Sequence, residues 1–270
     1  MQDKIPFYKM VASGNDFVVV DNRRQVIKDA TAFARTICRP HVGAVADGLL
    51  LFEGSKKANF KMRILNPDGS EAAACGNGFR CIVLYAHEVL KYSSSMRFES
   101  GSGVIEGHVG PKGSVKVQLV KPRIFETDSV IEVRGHRLHY SFLDTGVPHT
   151  VIFVEGLPKV DVVEIGKAIR HHTHFQPFGT NVNFVEVKSR KEIAVRTYER
   201  GVEDETLACG TGSTASAIIS VLKGYAEPCV SVLTKGGEKL RIEMHKKGPE
   251  IEKVFLEGKA QFVYKGEYFL

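Results

Sequence analysis

The sequence has no apolar run long enough to cross a membrane. Its longest, such as Phe17–Val20 and Leu49–Phe52, are a few residues long, against the ~20 that a spanning helix needs. The opening Met1-Gln2-Asp3-Lys4-Ile5-Pro6 sets an acid and a proline where a secretory signal requires a positive end and an apolar stretch, so a soluble cytoplasmic protein is expected. Cysteine is scarce: five residues, at 38, 75, 81, 209 and 229, are an odd number and too few to staple a chain of 270. None stands in a CxxC or Cys/His spacing that would hold zinc, so thiols are the expected state and no metal is expected. A basic block is also missing. The net charge is +6 and the pI about 9.0, but Lys and Arg are interspersed with acids. That pattern favours a solvated surface that attracts small anions over nucleic-acid binding.

What remains is ordinary globular composition, 43% hydrophobic and 25% charged, with no low-complexity tract. The length exceeds the usual ~100–200 residues of one core, which favours two domains over one large one. Most segments read as short strands bounded by Gly, Pro and Asp turns: 9–12, 17–21, 49–53, 60–65, 104–108 and 114–120, then 130–133, 150–154, 181–187, 193–198, 230–234, 240–244 and 254–256. Two longer segments, 77–90 and 211–222, read as helices opening after glycine-rich turns. Their apolar residues surround the axis rather than forming one stripe, which predicts buried helices with strands around them. Shorter helices are expected at 31–38 and 162–171.

The two long helices are part of a repeat. Met62-Arg63-Ile64-Leu65, an acidic stretch through Glu71 and Ala74-Cys75-Gly76-Asn77-Gly78 match Val195-Arg196-Thr197-Tyr198, an acidic stretch through Glu205 and Ala208-Cys209-Gly210-Thr211-Gly212. The cysteines stand 134 positions apart, almost half the chain. Two equivalent lobes related by an approximate two-fold would set both Cys-Gly-x-Gly helix starts across a cleft.

A helix start presents unpaired N–H groups and the positive end of the helix dipole, so it attracts an anion, and glycine lets the ligand approach the backbone. The same field lowers the pKa of a neighbouring thiol. With an amino-acid carboxylate held there, one sulfur can remove the α-proton as thiolate while the other delivers a proton to the opposite face. The charge that spreads onto the carboxylate meets N–H groups already in place. Cys38, Cys81 and Cys229, in apolar or helical context, read as small buried hydrophobes. Gly101-Ser102-Gly103 lacks the helix and spacing of a phosphate loop.

With these motifs the sequence resembles the diaminopimelate epimerase family, cofactor-independent enzymes that interconvert LL- and meso-diaminopimelate. The resemblance runs through Ser13-Gly14-Asn15-Asp16-Phe17, Ala46-Asp47-Gly48, the Met62–Glu71 segment, Cys75-Gly76-Asn77-Gly78-Phe79-Arg80-Cys81, Pro148-His149, Asn181–Glu186, Tyr198-Glu199-Arg200-Gly201 and Glu205–Gly212. It implies a mixed α/β (α+β) fold of two pseudo-symmetric lobes, each a curved mixed sheet around a central helix, with the active site in the cleft between them. The expected lobes are 1–120 with 260–270, the last strand returning to the first lobe, and 121–259.

By the same resemblance Cys75 and Cys209 are the two acid/bases, and the N–H groups of Gly76, Asn77, Gly210 and Thr211 hold the reacting carboxylate. Asn15 binds the reacting ammonium, while His149 and Glu199 assist the thiols and orient the substrate. Asn66, Asn181 and Arg200 recognise the distal amino-acid end. Neither cofactor nor metal is implied; the partner is a small amino acid rather than nucleic acid or membrane, and a homodimer is compatible with the chain. Bland readings stand beside these: Asn15 or Asn66 as turn residues, His149 as a satisfied core histidine, Glu199 and Arg200 as surface charges.

The sequence departs from the family pattern at Val147, where many members have Asn, at Gly48, where some have Gln, and at Val45, where a small residue is expected. The Glu203-Asp204-Glu205 loop is also one residue longer than in many members. These changes touch substrate contacts and leave both thiols in place. A two-thiol racemase of another amino acid, such as histidine, and a non-catalytic amino-acid-binding relative are therefore the alternatives.

Overall fold

The computed structural model describes residues 4–248 and 250–269, so Met1-Gln2-Asp3, Pro249 and Leu270 lie outside it. The chain divides into two compact units: one runs to Gln118 and resumes at Glu257, the other is Leu119–Leu256. In the first, β1 (Lys4–Ala12), β2 (Asn15–Asp21), β3 (Gly48–Glu53), β4 (Phe60–Leu65), β5 (Glu71–Ala72), β6 (Ser95–Ser100), β7 (Gly103–Val109) and β8 (Ser114–Gln118) accompany helices α1 (Ala30–Ile37) and α2 (Gly76–Glu88). The second holds β9 (Arg123–Val133), β10 (His136–Asp144), β11 (Pro148–Phe153), β12 (Asn181–Ser189), β13 (Glu192–Glu199), β14 (Asp204–Thr206), β15 (Cys229–Leu233) and β16 (Lys239–Lys247), with α3 (Val162–Arg170) and α4 (Gly210–Leu222). The division falls within β17 (Glu250–Lys259), and β18 (Gln261–Phe269) closes the first unit by pairing antiparallel with β1.

Strand pairing matches between the units from β18 through β7 and from β9 through β16. The first reads β18-β1-β2-β3-β4-β6-β7-β8, with β2 parallel to β3, β4 parallel to β6, and β5 hydrogen-bonded to β4. The second reads β9-β10-β11-β12-β13-β15-β16, with β11 parallel to β12, β13 parallel to β15, and β14 on β13. Parallel neighbours need a crossover. Here α1 and α3 bridge the first parallel pair of each unit, while α2 and α4 bridge the second. Asp29 and Asp161 start α1 and α3 by accepting the N–H groups of Ala32 and Glu164 at 2.9 and 3.1 Å, an N-cap arrangement.

The long helices are the cores. Ten consecutive residues are buried in each, Asn77–Ala86 in α2 and Gly212–Val221 in α4. Helix α2 packs on β1, β2, β3, β7 and β8, and α4 on β10, β11, β12, β13, β15 and β16, as expected of helices apolar all round. Three buried hydroxyls of α4 are satisfied within the helix, since Thr214, Ser216 and Ser220 donate to the carbonyls four residues back at 2.7–2.8 Å. Every strand read from the sequence falls in or on a strand. Strands β5, β6, β10 and β14 were not expected, and β18 was expected from the family resemblance alone, as the last strand returning to the first lobe. Residues 261–269 are almost all exposed and so carry no alternation for periodicity to detect.

Candidate active site

In the first unit the two-residue turn Ser13-Gly14, with φ of 50° and 83°, joins β1 to β2. Positive φ at both centres is the hairpin geometry that suits strand twist, and it delivers Asn15 to the start of β2. Asn15 Nδ2 donates to Asp47 Oδ2 (3.2 Å), and Asn15 Oδ1 accepts from Asn77 Nδ2 (2.5 Å). Asn77 is the second residue of α2, and Cys75 is its N-cap, the Sγ accepting the Gly78 N–H at 3.5 Å. A thiol thus occupies the position where serine or aspartate is usual, and the Gly78 donor and the helix dipole both favour its anion. The first-turn N–H groups of Gly76 and Asn77 have no intrahelical acceptor. A Cβ at Gly78 would lie 3.2 Å from Met62 Cε and 3.3 Å from Ile64 Cδ1 and Leu50 Cδ2, so these side-chain ends would have to shift by a few tenths of an ångström to admit it.

In the second unit Cys209 holds the same place before α4, buried at 7% exposure, but its sulfur does not cap the helix. It lies 3.4 Å from Thr211 Oγ1 and hydrogen-bonds the Glu199 carboxyl. Burial pushes the pKa of Glu199 up, an effect that hydrogen bonds from Thr206 Oγ1 (3.0 Å) and Cys209 offset in part. A carboxyl so raised accepts a proton more readily than an exposed one. His149 is fully buried, its Nδ1 3.1 Å from Asn183 Nδ2, and its Nε2 has no hydrogen-bond partner among the described residues. Burial first, then the charge of Arg200, hold its pKa down to about 3. Asn181 braces the site: its Nδ2 donates to Pro148 O (2.9 Å) and its Oδ1 accepts the Arg200 N–H (2.8 Å). Arg200 Nη1 donates to Phe178 O at 3.1 Å.

One ion pair sets each cysteine turn. Arg63 grips Glu71 with Nε and Nη2 at 3.0 and 2.8 Å; Arg196 grips Glu205 at 2.6 and 2.7 Å. Both tie the strand before the turn to the strand that leads into it, β4 to β5 and β13 to β14, with planar two-point geometry.

The family description diaminopimelate epimerase matches residues 7–125 and 141–263. A curated relative named diaminopimelate epimerase, from Aquifex aeolicus, is 45% identical, covering 96% of this chain and 96% of its own length. The chain belongs to the diaminopimelate epimerase family. Among solved structures, a PhzF-family phenazine biosynthesis protein of Bacillus anthracis has a TM-score of 0.76 at 14% identity, covering 99% of this chain and 100% of its own. A hydroxyproline epimerase of Agrobacterium vitis, solved with trans-4-hydroxy-L-proline, has a TM-score of 0.76 at 15% identity, covering 100% and 94%. These distant likenesses report the fold.

The departures from the diaminopimelate epimerase pattern have local physical context. Gly48 lies where a Cβ would meet Leu65 O at 3.1 Å and the Phe17 ring at 3.2 Å, so a longer side chain needs Phe17 to move. Val45 adopts φ 51°, a region in which a β-branched residue is strained; Lys9, only 4% exposed and paired with Asp16 at 2.9 Å, holds the Val45 carbonyl. Asn66 is exposed and donates to Ser70 Oγ at 2.9 Å. Cys38 and Cys81 are buried, Cys38 pushed up to about 11 and Cys81 higher still by desolvation. Cys229 differs from expectation: it is half-buried and accepts from Arg241 Nε at 3.0 Å rather than packing as a hydrophobe.

Sequence reasoning missed Arg80, Asn183 and Thr197. Arg80 is wholly buried on α2, donating to Asn77 Oδ1 (2.8 Å) and Ser13 Oγ, and so supports the amide that meets Asn15. The available signal was a cation inside a run of otherwise apolar helix. No helix among the described residues is long and apolar enough to cross a membrane.

Proposed function

We propose that this protein interconverts LL- and meso-diaminopimelate by moving a proton through two thiols, Cys75 and Cys209, without a cofactor, in the supply of lysine and cell-wall precursors. The observation that carries the reading is a thiol at the start of the buried helix in each of two topologically equivalent units, within a chain whose curated relatives are named diaminopimelate epimerase. One thiolate takes the α-proton and becomes a thiol; the other thiol gives its proton to the opposite face and becomes a thiolate, so the site ends poised for the reverse reaction.

The carbanion charge spreads into the substrate carboxylate, held by the first-turn N–H groups of Gly76, Asn77, Gly210 and Thr211, and each such preorganised donor contributes about 3–4 kcal/mol. Asn15 receives the reacting ammonium. Glu199 takes the Cys209 proton when that sulfur acts as base, and His149 presents an N–H beside the reacting groups. Asn66, Asn181 and Arg200 recognise the distal end. The reading carries a cytoplasmic location with it, and a homodimer as the assembly to look for by sedimentation.

The test is exchange in D₂O with both thiols reduced. Each diaminopimelate stereoisomer is expected to yield the other with one solvent deuterium at the inverted centre. Exchange into histidine or another single-centre amino acid instead supports the related racemase. Binding without exchange supports a non-catalytic relative.

A further inference from the structure

At matching register positions the two units carry different chemistry. In the first unit Phe17 pairs with Gly48, and Leu50 with Ile64. The matching pairs in the second unit are His149 with Asn181 and Asn183 with Thr197. Leu50 and Ile64 pack against Gly78 of the thiol-bearing helix, and the counterpart of Gly78 is Gly212. Here a Cβ would overlap Asn183 Oδ1 and lie 3.3 Å from Cys209 Cβ. A place filled with hydrocarbon in one unit is therefore polar in the other, though equally buried: His149, Thr150 and Asn183 are 0% exposed and Thr197 4%. Burying polar groups costs more than burying hydrocarbon unless each finds a partner.

All but one atom of the set is satisfied, and the pattern has one solution. Thr197 Oγ1 donates to Asn183 Oδ1 at 3.0 Å, and Asn183 Nδ2 donates to Thr150 O at 3.0 Å. Reversing the amide would set two oxygens together at Thr150, so its nitrogen end faces His149. Asn183 Nδ2 has hydrogens to give and no lone pair to offer, which makes His149 Nδ1 the acceptor. An imidazole nitrogen that accepts carries no proton, and the ring's single proton is on Nε2. That N–H is the one buried side-chain group without a partner among the described residues.

We propose that Asn183 is a positioning residue: its amide holds His149 as the Nε2–H tautomer, a neutral hydrogen-bond donor rather than a base, and Thr197 and Gly212 hold the amide in that orientation. The proposal rests on the function above only in placing His149 beside the reacting groups. Because Asn183 also packs on the first turn of α4, it ties the ring to the backbone that carries Cys209. Gly212 is glycine for this reason, whereas a Cβ at Gly78 would meet only the movable ends of three apolar side chains.

The test is nitrogen NMR on protein labelled in its histidines, with His149 assigned by the signal lost in His149→Gln. The wild type is expected to show a protonated Nε2 and an unprotonated Nδ1 at pH 7. Asn183→Asp sets a carboxylate against Nδ1 and should move the proton there. Its kcat should fall by on the order of 10²-fold, with KM moving less. Thr197→Val keeps the amide but removes its orienting donor, and is expected to give a mixture of tautomers and a loss of about 10-fold. A wild-type ring protonated on Nδ1, or an unchanged tautomer or unchanged kcat in Asn183→Asp, overturns the proposal. Failure of the epimerase reading shows itself separately, as wild-type protein that exchanges no deuterium into either stereoisomer.

Discussion

Cys209 donates a hydrogen bond to Glu199, a carboxyl that burial has made more basic than usual. Cys75, by contrast, caps its helix by accepting the Gly78 N–H. On the proposed two-thiol mechanism, Cys209 would reach the thiolate by passing its proton to a side chain and Cys75 by backbone stabilisation. Glu199→Gln removes the first route only. Its kcat is expected to fall about 10²–10⁴-fold in both directions. A group whose pKa is raised by folding is stabilising below its unfolded value and loses that contribution as pH rises through the folded one. At neutral pH the variant should thus melt at or above the wild-type temperature, read by calorimetry.

Cys75→Ala and Cys209→Ala are each expected to lower epimerisation by more than about 10³-fold, since neither thiol can act as both acid and base in one turnover. Folding should change little, because Cys75 is only half-buried and loses one long cap bond, while alanine fills most of the volume of the buried Cys209; each change should cost about 1 kcal/mol by denaturant titration. Wild-type turnover in either variant would end the two-base scheme.

His149 predicts acid sensitivity. Folding holds its pKa down to about 3, against 6.5 for an ordinary imidazole. Between those values the unfolded chain binds a proton that the folded chain refuses, so stability falls as pH drops from about 6.5 towards 3 and is unaffected above that window. Denaturant midpoints at about pH 7, 5.5 and 4.5 should decline less steeply for His149→Gln than for the wild type.

The two arginine clamps should differ in weight. Arg196 and Glu205 have side chains only 14% and 13% exposed, whereas Arg63 and Glu71 are 27% and 47% exposed. Arg196 also donates to the carbonyls of Leu157 and Val160 at 3.0 and 2.9 Å. Arg196→Lys loses the two-point grip in a dry setting and is expected to cost about 2 kcal/mol, while Arg63→Lys costs under about 1. Equal changes in melting temperature would refute the difference.

Val45→Gly is expected to stabilise the protein by about 1 kcal/mol, relieving a left-handed β-branched residue at φ 51°. Melting should rise by about 2–4 °C. The gain should persist in a Lys9→Met background if the strain is local to the backbone.

Helices α2 and α4 were legible because a glycine-rich turn followed by an unbroken apolar run has few other solutions. Strand β10 was not, since His136-Arg137-Leu138-His139 is polar in sequence and acquires its place only by pairing with β9 and β11. Asn181 and Asn183 were both visible as amides in an apolar strand. Their local spacing did not distinguish the brace between Pro148 and Arg200 from the partner of His149, because those partners come from other segments of the chain.

The sequence by itself determined the repeat, the thiols at helix starts, the buried helices and the family, all of which rest on contiguous residues and their period. Tertiary structure alone decided which proton His149 carries, why Gly212 is glycine, and that the Glu199 carboxyl stands beside Cys209. Each of these depends on hydrogen bonds or close approaches between strands and helices distant in the chain, and direction and distance are not written in spacing.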